Sequence, residues 1–341
     1  MIIIRPIEQG EADSWNQFVS DHSQGALTHL HEWGLAANIA YGLEVEYLGA
    51  FDDGEFIAML PAIVIKRPFA PRIAVSLAFC HYSGWLIAKK ANETIVRRMF
   101  VEFLDAQGIH KLELRQKGGP EQTAPGEVTL IRPLERTSEV LWEALDAKVR
   151  NQVRKATNSG LTPRWGKDQF EEFYSVYARN TSFLGSPVHS KTYFRILLEK
   201  LPAYTEILTI RLEGNVVAAM FLTGYKGQLS DPWAASLRQY DKLCPNMLMY
   251  WEAFRFGCQN SYSSFDMGRS QLGSTTFRFK RQWGTHALPL HYSSISLNGT
   301  SDRTSTNVYR SSQAHIVSRI WRALPLPLAT WLGPKIRKYI P

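Results

Sequence analysis

A strand end that opens into a polar loop is where α/β sheets place ligand sites, and FDMGRSQLGSTTFRFKRQWG, residues 265–284, has that form. The strand breaks at Gly268, and the loop then runs through Arg269, Ser270, Gly273, Ser274 and Thr275 to Phe277, Arg278, Phe279, Lys280 and Trp283. An extended 277–281 would set Phe277, Phe279 and Arg281 on one face and Arg278 and Lys280 on the other. Two cations on one face suit an anionic substrate or a developing oxyanion. A solvated basic edge that resists aggregation would read the same way.

Two helices offer further anion contacts. The spacing of Val140, Leu141, Leu145, Val149 and Val153 predicts one helix over Ser138–Ser159, stopped by Gly160. Its C-terminal half carries Lys148, Arg150, Arg154 and Lys155. These either complement the helix dipole alone or make a phosphate platform, with Arg150 and Lys155 the candidates. A second helix, Asn246–Gln259, follows Pro245 and places Asn246 in its first turn. No Ser-His-Asp order, Walker loop or H-E-x-x-H occurs. His29/His31 and His286/His291 lack a third ligand nearby, so no metal is assigned.

The elements that would hold these groups show an internal repeat. Residues 44–66 overlie 204–226 at a constant offset, with Glu46 on Glu206, Leu48 on Leu208, Gly54 on Gly214, Ala58 on Ala218 and Lys66 on Lys226. Each copy alternates, turns at Asp-Asp-Gly or Glu-Gly-Asn, and returns as an apolar strand. A duplicated domain follows from that offset. Around the hairpins the patterning predicts helices over 11–20, 92–107, 168–180 and 190–200, and strands over 110–115, 229–235, 263–267 and 286–295. Residues 116–137 read as a Gly/Pro-rich loop with one short strand. The expectation is a mixed α/β sheet in each half.

The formal charge of +8 is a property of the tail: Arg303, Arg310, Arg319, Arg322, Lys335, Arg337 and Lys338 follow the last acidic residue, Asp302. Without those seven the body is nearly neutral, which argues against a DNA-binding groove. Cys80, Cys244 and Cys258 are sparse and odd in number, which suits buried thiols in a reducing compartment. The N-terminus turns charged too soon for a signal peptide, and no run of about 18 apolar residues spans a membrane.

The run Trp142, Lys148, Arg150, Asn151, Arg154, Lys155, Ala156 and Gly160 resembles the start of the catalytic domain of FemAB-like proteins of the GNAT superfamily. So do residues 173–194, the Pro245-Asn246 helix start, and above all FDMGRS (265–270) with Phe279, Lys280, Trp283 and Gly284. The resemblance, strongest over 140–295, is to FemAB-like proteins of exosortase and exopolysaccharide clusters, with a BioF2-like acetyltransferase domain. It implies an α/β (α+β) fold of two tandem GNAT-like domains, 1–137 and 138–300, with 301–341 as a basic tail. It also implies transfer of an acyl or aminoacyl group onto an amine of a cell-envelope or exopolysaccharide precursor, lipid- or nucleotide-linked.

By that resemblance Lys280 stabilises the tetrahedral oxyanion, and Asp266 orients or accepts from the amine. Arg269 and Arg278 contact anions, with Ser270, Phe279, Trp283, Arg150, Lys155 and Asn246 as further substrate contacts. No cofactor is bound tightly; the donor is aminoacyl-tRNA or acyl-CoA. GNAT acyl-CoA enzymes carry a Gly-rich loop before the helix corresponding to Asn246–Gln259, whereas Arg238–Pro245 contains no glycine. The coiled-coil arm that some Fem proteins use for tRNA is absent as well. An acyl-CoA-dependent N-acetyltransferase and a non-catalytic, membrane-attached polysaccharide-assembly module stay as alternatives.

In the tail, Ile316/Val317, Ile320 and Leu324 make an apolar helical stripe before Pro325, mixed with Trp321, Trp331 and the basic residues. Such a segment either lies on an anionic membrane or docks on the body. The expected location is cytoplasmic, or peripheral on the inner face of the cell membrane.

Overall fold

The duplicated hairpin is built twice in the computed structural model, which describes residues 1–8, 10–118, 126–297 and 312–340, with backbone alone for 312–317. The tail residues Arg303 and Arg310, part of the loop 116–137, and the side chains of Ile316 and Val317 lie outside the described residues. The first half holds β1 (Ile2–Pro6), α1 (Ala12–Asp21), α2 (His31–Tyr41), β2 (Glu44–Asp52), β3 (Glu55–Ile65), β4 (Ile73–Val75), β5 (Leu86–Ile87), α3 (Glu93–Ala106) and β6 (Lys111–Lys117). Then come β7 (Glu127–Pro133), α4 (Ser138–Glu143), α5 (Ala147–Asn158), β8 (Leu161–Trp165), α6 (Phe170–Phe183), α7 (Lys191–Lys200), β9 (Thr205–Leu212), β10 (Asn215–Tyr225) and β11 (Gln228–Ser236). The chain ends with α8 (Pro245–Gln259), β12 (Ser264–Gln271), α9 (Thr275–Arg281), β13 (His286–Ser296), α10 (Ser312–Ala323) and α11 (Leu326–Arg337).

Both hairpin turns place two consecutive residues at positive φ, Asp53 (46°) with Gly54 (83°) and Glu213 (49°) with Gly214 (82°). That is the turn whose twist matches a right-handed strand pair, and it explains the shared polar-Gly dipeptide. The strands run β1-β2-β3-β4-β6-β13-β7-β12-β11-β10-β9-β8, with β5 on β3. The halves exchange their last strands. β7, which follows β6 in the chain, pairs antiparallel with β12 of the second half. β13, which follows β12, pairs with β6 through Leu290–Ser296 and with β7 through His286–Pro289. Residues 127–133 thus precede the 137/138 division in sequence but complete the second half's sheet.

Three buried clusters hold the layers together. One lies beneath α3 on the first half's outer face, and one beneath α5 and α8 in the second half. The third is shared: Trp15 and Trp33 of α1 and α2 meet Phe173, Phe194, Phe221 and Trp233. Trp33 and Trp233 stack with planes 8° apart and centroids at 6.0 Å. Such rings bury large apolar areas, so this cluster welds the halves into one body.

Two expectations change. Ser138–Ser159 is two helices, because Asp146 is extended (ψ 142°) and Leu145 turns into the core between them. Residues 277–281 are helical: Ser274 caps α9 by accepting from the Phe277 amide at 3.1 Å, which starts a helix where alternation suggested a strand. Arg278 is therefore exposed while Lys280 is buried, and the two cations do not share a face.

Candidate active site

The local fold of the site begins where two parallel strands part. β11 pairs with β12 over three residues, Gln228 with Ser264, Leu229 with Phe265 and Ser230 with Asp266. The next positions are Asp231-Pro232, and proline has no N–H to continue a ladder. On the opposing strand Gly268 takes φ 72°, and the pairing of β12 with β7 slips between Asp266 and Arg269. A Cβ on Gly268 would also lie 2.9 Å from His81 Nε2, so glycine is required for both conformation and space.

The gap opens into a cavity of about 700 Å³ between the halves. The first half contributes His81, Tyr82, Arg115 and Lys117, the second Asp231, Trp233, Asp266 and Arg269, and the tail Arg337.

Asp266 is a fully engaged carboxylate. Its Oδ1 accepts from Thr129 Oγ1 and from the Gly268 amide at 2.8 Å, and its Oδ2 accepts from Tyr82 at 2.9 Å. Asp266 thus ties β7, its own bulge and the first half together. Asp231 differs. Its Oδ2 accepts from Tyr250 of α8 at 2.6 Å, but Oδ1 is buried without a partner. Burial pushes its carboxyl up to about 7, against the opposing pull of Lys280 and the Tyr250 hydrogen bond; Asp266 adds to the rise. A buried carboxylate with one oxygen free in a cavity wall can take a proton near neutral pH.

Lys280 is buried behind this wall and does not line the cavity. Its ammonium donates to the carbonyls of Gly268 and Arg269, both at 3.0 Å, and so holds the bulge in place. Burial lowers its pKa, while Asp231 and Asp266 raise it. His81 is held neutral, pushed down to about 3 by burial and then by Arg269, Lys280 and Arg115. Tyr82 is pushed up by burial and by Asp266. Lys117 stands 4.9 Å from the Tyr82 ring centre, and burial lowers its pKa.

Of the residues expected from sequence, Asp266 and Arg269 reach the cavity. Ser270 is buried next to Arg269 and bonds to its carbonyl at 2.9 Å. Phe279 and Trp283 pack against Tyr250, at 5.4 and 6.2 Å, away from the cavity lining. Arg150 pairs with Glu143 at 2.8 Å, Lys155 is exposed on α5, and Asn246 sits in the first turn of α8; none of them lines the cavity. The left-handed residue before α8 is Cys244 (φ 61°) in place of a glycine.

Asp231 is the residue the sequence reading passed over. Its signal was register: in QLSDPWAAS the buried positions are Leu229, Asp231, Trp233 and Ala235, so a lone carboxylate occupies an apolar register. His81, Tyr82, Arg115 and Lys117 carried no such signal.

Residues 145–281 match the acetyltransferase (GNAT) domain family. No curated protein matches the sequence. Among solved structures, FemX superposes with a TM-score of 0.64 at 13% identity, over 84% of this chain and 95% of that one. A tandem GNAT protein from the clavulanic acid biosynthesis pathway gives 0.57 at 9% identity, over 88% and 100%. L-PGS from Bacillus licheniformis gives 0.50 at 14% identity, over 92% and 98%. At these identities the likeness is one of fold.

Proposed function

On the premise that this chain is a FemAB-like member of the GNAT acyltransferase superfamily, we propose that it forms an amide by transferring an acyl or aminoacyl group to an amine of a cell-envelope or exopolysaccharide precursor. The observation that carries this reading is Asp231: a buried carboxylate, poised at about 7, with a free oxygen where β11 and β12 part.

The balance of the step is simple. Asp231 takes the proton from the acceptor ammonium, and the freed amine nitrogen attacks the donor's acyl carbon. The C–O bond of an aminoacyl-tRNA, or the C–S bond of an acyl-CoA, then breaks, and the leaving group takes up the proton. Lys280 sets the bulge and keeps a positive charge beside both carboxylates, which lowers the energy of the oxyanion through the shaped wall. Arg115, Lys117, Arg269 and Arg337 give the cavity the positive lining that a phosphate-bearing acceptor needs. Exosortase-linked polysaccharide assembly is a setting that fits such an acceptor.

Mass spectrometry of the amine-bearing precursor pool tests this reading. Cells with the wild-type protein should show an added acyl mass that is missing without the protein and missing with Asp231→Asn. A pool unchanged by the wild type would leave the chain as a binding module.

A further inference from the structure

α11 is two-faced. Leu326, Ala329, Gly333 and Arg337 recur at helical spacing and face the body. Gly333 sets the docking distance, since a Cβ there would lie 2.7 Å from Val188 Cγ2. Arg337 donates to His189 at 3.2 Å and lines the cavity. The other face shows Leu328, Trp331 (60% exposed) and Ile336, with Lys335 lying 3.4 Å from the centre of the Trp331 ring. The described part of the tail therefore docks on the body and still turns an aromatic, basic face outward.

A second segment adjoins it. The loop between β3 and β4, Lys66-Arg67-Pro68-Phe69-Ala70-Pro71-Arg72, holds Phe69 fully exposed at φ 57°. A bulky residue in the left-handed region, standing out in water between two prolines, gains nothing from the fold. Arg67 donates to the carbonyl of Tyr339 at 2.8 Å, which fastens this loop to the end of α11. Glu44 is the acid at its base, and it is paired with Lys66 at 2.5 Å and Arg72 at 3.0 Å.

We infer that Phe69 and the outer face of α11 form one docking surface for an anionic phospholipid bilayer. The charge argues for lipid: the chain has no Asp or Glu after Asp302 but seven Lys and Arg. The shape agrees, because isolated Phe and Trp side chains stand proud beside Lys and Arg, which suits insertion among headgroups. Arg337 on the inner face is about one helix diameter, roughly 10 Å, from that surface. A lipid-linked acceptor on the bilayer would thus meet the cavity directly. This rests on the envelope-precursor reading above.

Co-sedimentation with vesicles tests it, using phosphatidylcholine alone and phosphatidylcholine mixed with phosphatidylglycerol. Wild type should sediment with the mixed vesicles alone, and less so as salt rises. Phe69→Ser and Trp331→Ser should each weaken binding about tenfold, and Lys335→Glu with Lys338→Glu by more than that. Unchanged melting curves would show these variants to be folded. Wild-type binding that ignores lipid charge, binding untouched by Phe69→Ser, or a dimer in solution lost through the same substitutions would each overturn the inference. Asp231→Asn should still sediment; if it sediments yet the precursor pool is unchanged even with wild type, the transfer reading fails and this one stands.

Discussion

The two halves of the molecule carry the same strand pair with opposite endings. In the first half β4 and β6 pair in parallel over three residues, ending at Val75 with Glu113. In the second, β11 and β12 do the same, ending at Ser230 with Asp266. The next residue decides the outcome. Ser76 continues the ladder: its amide donates to the Glu113 carbonyl at 2.8 Å, and its hydroxyl accepts from the Arg115 amide at 2.9 Å. The Ser83 amide closes on the Arg115 carbonyl at 2.8 Å. At the matching position of the second half, Asp231 with Pro232 makes no ladder bond to β12, and a cavity opens instead. Duplication supplied two equal frameworks, one stitched shut and one left open around a carboxylate.

The strongest way to break this comparison is Asp231→Asn, which keeps the shape and removes the base. Transfer should fall by about 10²–10⁴-fold, measured as acyl mass added to the acceptor pool. The same variant sharpens the electrostatics. Folding raises this carboxyl from 3.8 to about 7, so the fold favours its protonated form. The stability it contributes is full below its unfolded value and is lost as pH rises through about 7. Asp231→Asn should therefore raise Tm above neutral pH, and the gain should vanish on acidification.

Lys280→Ala should come next. It strips two carbonyls of their donor and leaves a void, costing about 2–4 kcal/mol in denaturant unfolding, with transfer falling alongside. Tyr250→Phe removes the hydrogen bond that holds the Asp231 carboxyl down. The rising limb of the pH–rate profile should move to higher pH, with a stability loss of about 1 kcal/mol. The smallest effect belongs to the closed half. Ser76→Ala should cost about 1 kcal/mol by thermal unfolding and leave transfer unchanged. A large loss of transfer there would mean that both endings serve chemistry.

How much of this could be read in advance depended on the kind of signal. The hairpins were legible because alternation and a polar-Gly turn are local, and Gly54 and Gly214 carry the turn conformation themselves. The loop from Asp266 to Lys280 was legible as a site, but α9 was not, since Phe277-Arg278-Phe279-Lys280 alternates like a strand and the Ser274 cap decides otherwise. α2 escaped because HEWGLAANIAY is apolar nearly all round and buries Trp33, Ala36, Ala37 and Tyr41. The exchanged strands and the share of His81, Tyr82 and Lys117 in the site are long-range facts, which no local pattern encodes. Asp231 lay in between: its buried register was visible, but its meaning needed the gap beside it.

The central claim is that Asp231 is a poised base, and it can be measured without knowing the substrate. The side-chain carboxyl of Asp231 should be followed by ¹³C NMR across pH and assigned by its loss in Asp231→Asn. A midpoint near 7 would fit the open, half-bonded carboxylate described above. A midpoint at the ordinary aspartate value of 3.8 would contradict it.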